Sequence, residues 1–177
     1  APARASLLTG RYSHRTGSLE TREVLDLGRL GPHEVTLADE FKAAGYDTGM
    51  VGKWHLGTFG ARYHPNARGF DHYIGFRGGG EDYYAWRLDC NGAPVESDGR
   101  YLTDVFTEEA ISFIRRHQPR PFFLYLAYNA PHMPLQAPEE AVRPYLDAGL
   151  ERGVALIYAM NEIMDRGVGR VLDTLHE

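Results

Sequence analysis

The run Pro121-Phe122-Phe123-Leu124-Tyr125-Leu126-Ala127-Tyr128 is apolar almost without interruption, and it restricts the fold more than any other stretch. A strand with one wet face alternates apolar and polar side chains, whereas a continuous apolar run is the pattern of a parallel strand covered on both faces. The segments around it carry helical periodicity instead. Thr103 to His117 places Phe106, Ala110, Phe113 and Ile114 on one stripe, and Pro119 and Pro121 end it. Glu151 to His176 carries Val154, Ile157, Tyr158, Met160, Ile163, Met164, Val168, Val171, Leu172 and Leu175, with Gly167 and Gly169 as weak points. Upstream, Thr36-Leu37-Ala38-Asp39 opens a helix with a capping hydroxyl and an early acid. Leu37, Phe41 and Ala44 share its apolar face, and Gly45 stops it. Tyr46 to Val51 then reads as a short strand. Helices alternating with strands predict an α/β layered fold with a mainly parallel central sheet flanked by helices.

With 177 residues, 43% of them hydrophobic, the chain is long enough for one domain core. Two clear strands are too few to cover this many amphipathic helices. The sheet is therefore expected to be completed by residues outside both ends, making residues 1–177 an internal fragment of one domain. No apolar run reaches the roughly 18 residues of a membrane span, and no leader pattern is visible. A net charge of -5, with Lys and Arg scattered, gives no basic patch for a nucleic acid. Cys90 is the only cysteine, so no internal disulfide forms, and it reads as a buried or tolerated thiol.

Three segments carry chemistry. Ala1-Pro2-Ala3-Arg4-Ala5-Ser6-Leu7-Leu8-Thr9-Gly10 reads as a short helix, with Pro2 in the first turn and Gly10 at the left-handed stop. A helix start presents free N–H groups and a positive dipole end, and Arg4 adds a planar fork of donors suited to an oxyanion. Gly52-Lys53-Trp54-His55-Leu56-Gly57 follows the first strand directly. In an extended segment Lys53 and His55 would point the same way and Trp54 the other. The alternative is an ordinary loop with a solvated lysine and a structural histidine. Asn129-Ala130-Pro131-His132-Met133-Pro134 follows the second strand, and its two prolines hold one imidazole in a stiff loop. In open α/β sheets, ligands bind beyond the carboxyl ends of the strands, where both segments fall.

Taken together, these segments resemble the signatures of the type I sulfatases, of the alkaline phosphatase-like superfamily. Pro2, Arg4, Thr9 and Gly10 match Cys/Ser-x-Pro-x-Arg-x-x-x-x-Thr-Gly. Gly45-Tyr46-x-Thr48-x-x-x-Gly52-Lys53-Trp54-His55 is similar to the second signature, and Pro131-His132-x-Pro134 to a third conserved loop. Tyr101-Leu102-Thr103-Asp104 and Pro121-Phe122-Phe123-Leu124 look like further landmarks in the expected order.

The resemblance implies hydrolysis of sulfate esters by a formylglycine made from a Cys or Ser immediately before Ala1. Its hydrated form attacks sulfur, and sulfate leaves as the aldehyde re-forms. It also implies a maturation enzyme that generates the formylglycine, a calcium ion, a sulfated small molecule or carbohydrate as substrate, and an extracytoplasmic location. By the same resemblance Arg4 braces the formylglycine and Lys53 binds a sulfate oxygen. His55 hydrogen-bonds the diol and assists sulfate expulsion, and His132 lies near the bridging oxygen. Calcium ligands are expected outside this chain, because neither Asp26 nor Asp71 has the paired context of the family. His14, His33, His64 and His72 lack ligand spacing and read as surface histidines. Residues 1–177 alone are therefore expected to be inactive. A phosphonate or phosphate-ester hydrolase of the same superfamily, or a non-catalytic descendant, are the alternatives. The region from Gly57 to Tyr101 is expected to shape substrate choice. There Gly78-Gly79-Gly80 precedes Glu81-Asp82-Tyr83-Tyr84-Ala85-Trp86-Arg87, which is either a platform for a sugar ring or aromatic packing beneath a long loop.

Overall fold

The computed structural model describes residues 1–21 and 28–177. Helix α1 (Pro2–Thr9) ends where Gly10 takes a left-handed φ of 65°. Helix α2 (Leu37–Ala43) opens on a full capping box, in which the Thr36 hydroxyl accepts from the Asp39 N–H and the Asp39 carboxylate accepts from the Thr36 N–H. Its buried face differs from the expected one. Ala38 is buried, Leu37 is 41% exposed and Ala44 is exposed, while Phe41 stacks on Phe123 with centroids 4.5 Å apart.

Strand β1 (Asp47–Lys53) runs two residues past the expected end. There Gly52 pairs with Gly75 and Ala127, and Lys53 with Phe76. Strands β2 (His72–Phe76), β3 (Arg87–Cys90) and β4 (Ala93–Glu96) follow, then helix α3 (Leu102–His117) and strand β5 (Phe122–Ala127). Helix α4 (Glu139–Asp147) and helix α5 (Arg152–His176) complete the described elements. The sheet order is β4-β3-β2-β1-β5. Strand β1 is parallel to β2 and β5, whereas β3 and β4 join as antiparallel neighbours. The hairpin between β3 and β4 turns on Asn91 and Gly92, both at positive φ (52° and 92°), as a tight two-residue turn requires.

Alternation along the strands builds a three-layer molecule. Met50 and Tyr73 pack on one face with Ala5 and Leu8 of α1 and Ala38 of α2, while Phe123 and Tyr125 lie against that cluster. Val51, Ile74 and Phe76 pack on the other with Phe106 of α3 and Met160 and Ile163 of α5. Strand β5, at the edge of the sheet, is half-buried from Phe122 to Leu126.

Helix α5 buries only part of the expected stripe, Met160 and Ile163, together with small residues outside it. Ala155, Ala159, Met160, Ile163, Gly167 and Thr174 face inward, while Val154, Ile157, Tyr158, Val168, Leu172 and Leu175 remain exposed. Gly167 is a close-approach position rather than a weak point. A Cβ there would sit 2.5 Å from the Thr107 hydroxyl and 3.0 Å from that of Tyr128, two groups hydrogen-bonded to each other at 2.7 Å.

Two of the four histidines read as surface residues are not on the surface. His64 shares a hydrogen bond with Asp89 at 3.0 Å and its side chain is 13% exposed, and His72 is half-buried against the Phe113 ring. His14 and His33 are exposed as expected. Cys90 is half-buried, and burial pushes its thiol pKa up. No helix among the described residues is long and apolar enough to cross a membrane.

Candidate active site

The carboxyl ends of β1 and β5 set the site. Lys53 is the last residue of β1, and the chain leaves the sheet there. The Trp54 N–H still donates to Phe76, and its indole, fully buried, donates to the Tyr63 carbonyl at 2.8 Å. His55 then adopts φ 58°. A non-glycine residue in that region carries backbone strain that the surroundings must hold, and such strain collects at functional sites. The expected extended alternation of Lys53 and His55 therefore does not occur. Strand geometry stops at Lys53, and a left-handed turn, not a two-residue repeat, aims His55.

Arg4 links α1 to this turn. Its Nη1 donates to the Lys53 carbonyl at 2.7 Å and to the Tyr125 hydroxyl of β5 at 3.0 Å. This nitrogen of the expected oxyanion fork is thus spent on protein acceptors, and it fixes the main chain at Lys53. The Lys53 ammonium donates to the Gly79 carbonyl. One residue on, a Cβ placed on Gly80 would lie 3.6 Å from the His132 ring. The triglycine stretch therefore runs between Lys53 and His132.

His55 and His132 have opposite surroundings. His55 is buried, and its Nε2–H donates to the Thr21 carbonyl at 3.3 Å. Burial first, with the Lys53 ammonium and the Arg4 charge acting the same way, lowers its pKa, while the Thr21 carbonyl opposes them. His55 is accordingly neutral at neutral pH, with the lone pair on Nδ1. The Ala1 nitrogen, Lys53, Arg4 and His55 thus lie in one cluster. His132 is exposed, and its Nδ1–H donates to the Met133 carbonyl at 2.8 Å, which leaves Nε2 to face outward contacts. Ala130-Pro131 and Met133-Pro134 are both cis.

Three supporting residues have no counterpart in the sequence reading. Tyr125 accepts from Arg4, and Tyr83 donates to the His132 carbonyl at 3.0 Å. The Arg77 carbonyl accepts from the His55 N–H at 3.2 Å, while its Nη2 donates to the carbonyls of Gly57 and Gly60. Strand β2 was the missing signal for Arg77, which lies just beyond its end. The aromatic stretch resolves as packing: Tyr83 and Trp86 are 0% and 2% exposed, leaving Tyr84, at 37%, as the aromatic ring with solvent access.

Among the described residues no group of three or more His, Cys, Asp or Glu side chains is arranged to hold a metal ion. Asp71 is taken by Lys42 at 2.6 Å and Thr48 at 3.0 Å, and Asp26 lies outside the described residues. The donor set of this site does not fit calcium, and no calcium ligand is assigned to it.

The Sulfatase family model matches residues 1–177. The chain belongs to the sulfatase family. It is 34% identical to arylsulfatase G of Homo sapiens over 98% of its own length and 38% of that protein's. It is 36% identical to N-acetylgalactosamine-6-sulfatase of Canis lupus familiaris, over 100% of the chain and 38% of the relative. The chain thus spans about two-fifths of the length of the curated relatives it matches. In structure it is similar to Ps i-CgsB, with a TM-score of 0.90 and 34% identity over 99% of this chain and 44% of that one. Ps i-CgsB has also been solved in complex with k-i-k-neocarrahexaose. The layered α/β architecture is that of the alkaline phosphatase-like sulfatases.

Proposed function

We propose that residues 1–177 form part of the catalytic domain of a sulfatase that hydrolyses sulfate esters through a formylglycine carried immediately before Ala1. The observation that carries this reading is the hydrogen bond from Arg4 to the Lys53 carbonyl. It joins the first family signature to the second across two separate elements, and the backbone nitrogen of Ala1 lies within electrostatic reach of His55. A residue joined to Ala1 would therefore stand beside the Lys53–His55 turn.

The roles follow from the surroundings. Lys53 supplies a cationic donor for a sulfate oxygen, one of its three N–H bonds being anchored on Gly79. His55, kept neutral by burial, is a base that can take the proton released when sulfate is expelled. His132, exposed and fixed through Nδ1, presents Nε2 to the bridging oxygen and delivers a proton to the leaving alcohol. Arg4 positions the turn. The maturation enzyme, calcium held by residues outside the described ones, and extracytoplasmic location belong to the same proposal. A sulfated carbohydrate is the preferred substrate class, supported by the neocarrahexaose bound to the related Ps i-CgsB.

The complete protein should cleave 4-nitrophenyl sulfate at least tenfold faster, in kcat/KM, than the corresponding phosphate and phosphonate esters. Steady-state kinetics on the three esters checks this. A preference for phosphate or phosphonate would transfer the chain to the other hydrolases of its superfamily.

A further inference from the structure

Tyr83 is among the largest fully buried side chains, yet its hydroxyl ends at the edge of the site, 3.0 Å from the His132 carbonyl. We infer that Tyr83 is a positioning residue for His132, holding the imidazole at the height from which it protonates the leaving group. This rests on the assignment of His132 as the proton donor.

His132 is gripped at three points. Its N–H donates to the Asn129 carbonyl at 2.8 Å, its carbonyl accepts from Tyr83, and its Nδ1–H donates to the Met133 carbonyl. The first and third contacts lie within the loop itself and move with it. The Tyr83 contact alone ties the loop to the body of the molecule at that peptide.

Tyr83 is in turn anchored from several directions. Its carbonyl accepts from the Leu102 N–H at the start of α3, and its ring stacks on Tyr101 with centroids 5.3 Å apart. Its N–H donates to Gln136, whose amide donates to Asp82, and Tyr101 donates to the Gln136 carbonyl at 2.8 Å. Burial pushes the Tyr83 hydroxyl pKa up, so the phenol stays protonated and remains a donor throughout the working range. The phenol is thus a rigid post rooted on α3, with its only polar end spent on the loop that carries His132.

A proton donor matters most when the leaving alcohol is poor, and little when it departs readily as an anion. Turnover of phenyl sulfate and of 4-nitrophenyl sulfate by the complete, matured protein is therefore compared for wild type, His132→Ala and Tyr83→Phe, with thermal unfolding as a check on folding. His132→Ala should lose on the order of 100-fold on phenyl sulfate and far less on the nitrophenyl ester. Tyr83→Phe, which keeps the ring, should show the same selectivity in weaker form, about tenfold against less than about twofold, with KM little changed. An equal loss on both esters, or none, would overturn the positioning role of Tyr83. Absence of leaving-group selectivity in His132→Ala would instead remove the proton-donor assignment beneath it. Should Tyr83→Phe not fold, Gln136→Ala releases the Tyr83 N–H from the loop side and is judged by the same ratio.

Discussion

Replacing Lys53 by alanine is expected to lower turnover of an aryl sulfate by about 100-fold or more in the complete, matured protein, the usual effect of losing one preorganised donor to a charged transition state. The lysine stands on the last residue of a central strand. Its carbonyl is clamped by Arg4 and its ammonium by the Gly79 carbonyl, so its position is set before any substrate arrives. Lys53→Arg should not restore the rate, because a planar guanidinium does not reproduce the compact point charge that Lys53 sets beside the Gly79 carbonyl. Steady-state kinetics on the variants checks both statements. A loss of tenfold or less in Lys53→Ala would leave the residue a peripheral charge.

Gly52→Ala should be strongly destabilising. Gly52 has φ 112°, and a Cβ there would meet the Ala127 carbonyl oxygen at 2.3 Å. On the other side the strand is equally close, since a Cβ on Gly75 would lie 1.9 Å from the Gly52 oxygen. The Gly52 contact is with backbone, not a movable side chain, so β1 and β5 would have to separate where β1 delivers Lys53. The expected cost is about 3 kcal/mol or more, a fall of roughly 10 °C in Tm for a domain of this size. Gly169→Ala, in open space on α5, should instead be neutral or stabilising by up to about 1 kcal/mol. Paired thermal unfolding of the two variants gives the answer; similar midpoints would mean that the strand ends can spread without penalty.

Elements whose signals are local were readable in advance. Pro2 and Gly10 bracket α1, Thr36 and Asp39 start α2, and the uninterrupted apolar run became β5. What escaped depended on partners distant in the chain. Strand β2 is short, and Tyr73 and Ile74 look unremarkable until they are paired with Met50 and Val51. The β3–β4 hairpin did carry a local sign, the Asn91-Gly92 pair with both residues at positive φ, which is the strongest short-range hairpin signal. Helix α5 misled for another reason. Of its large apolar residues Met160 and Ile163 are buried as expected, but the close crossing with α3 and α4 otherwise selects Ala155, Ala159 and Gly167. At the proposed site, the resemblance singled out Arg4, Lys53, His55 and His132. The way they meet rests on a left-handed turn at His55 and on Tyr125, Arg77 and Tyr83, whose roles exist only once the strands are side by side.

The most direct measurement is turnover of a generic aryl sulfate by the complete protein, produced with and without a formylglycine-generating enzyme and otherwise identical. Turnover confined to the matured preparation is predicted, because in the proposed roles Arg4, Lys53, His55 and His132 bind, orient and move protons but supply no nucleophile. Equal turnover in the two preparations would contradict the formylglycine mechanism and, with it, the roles assigned around Ala1.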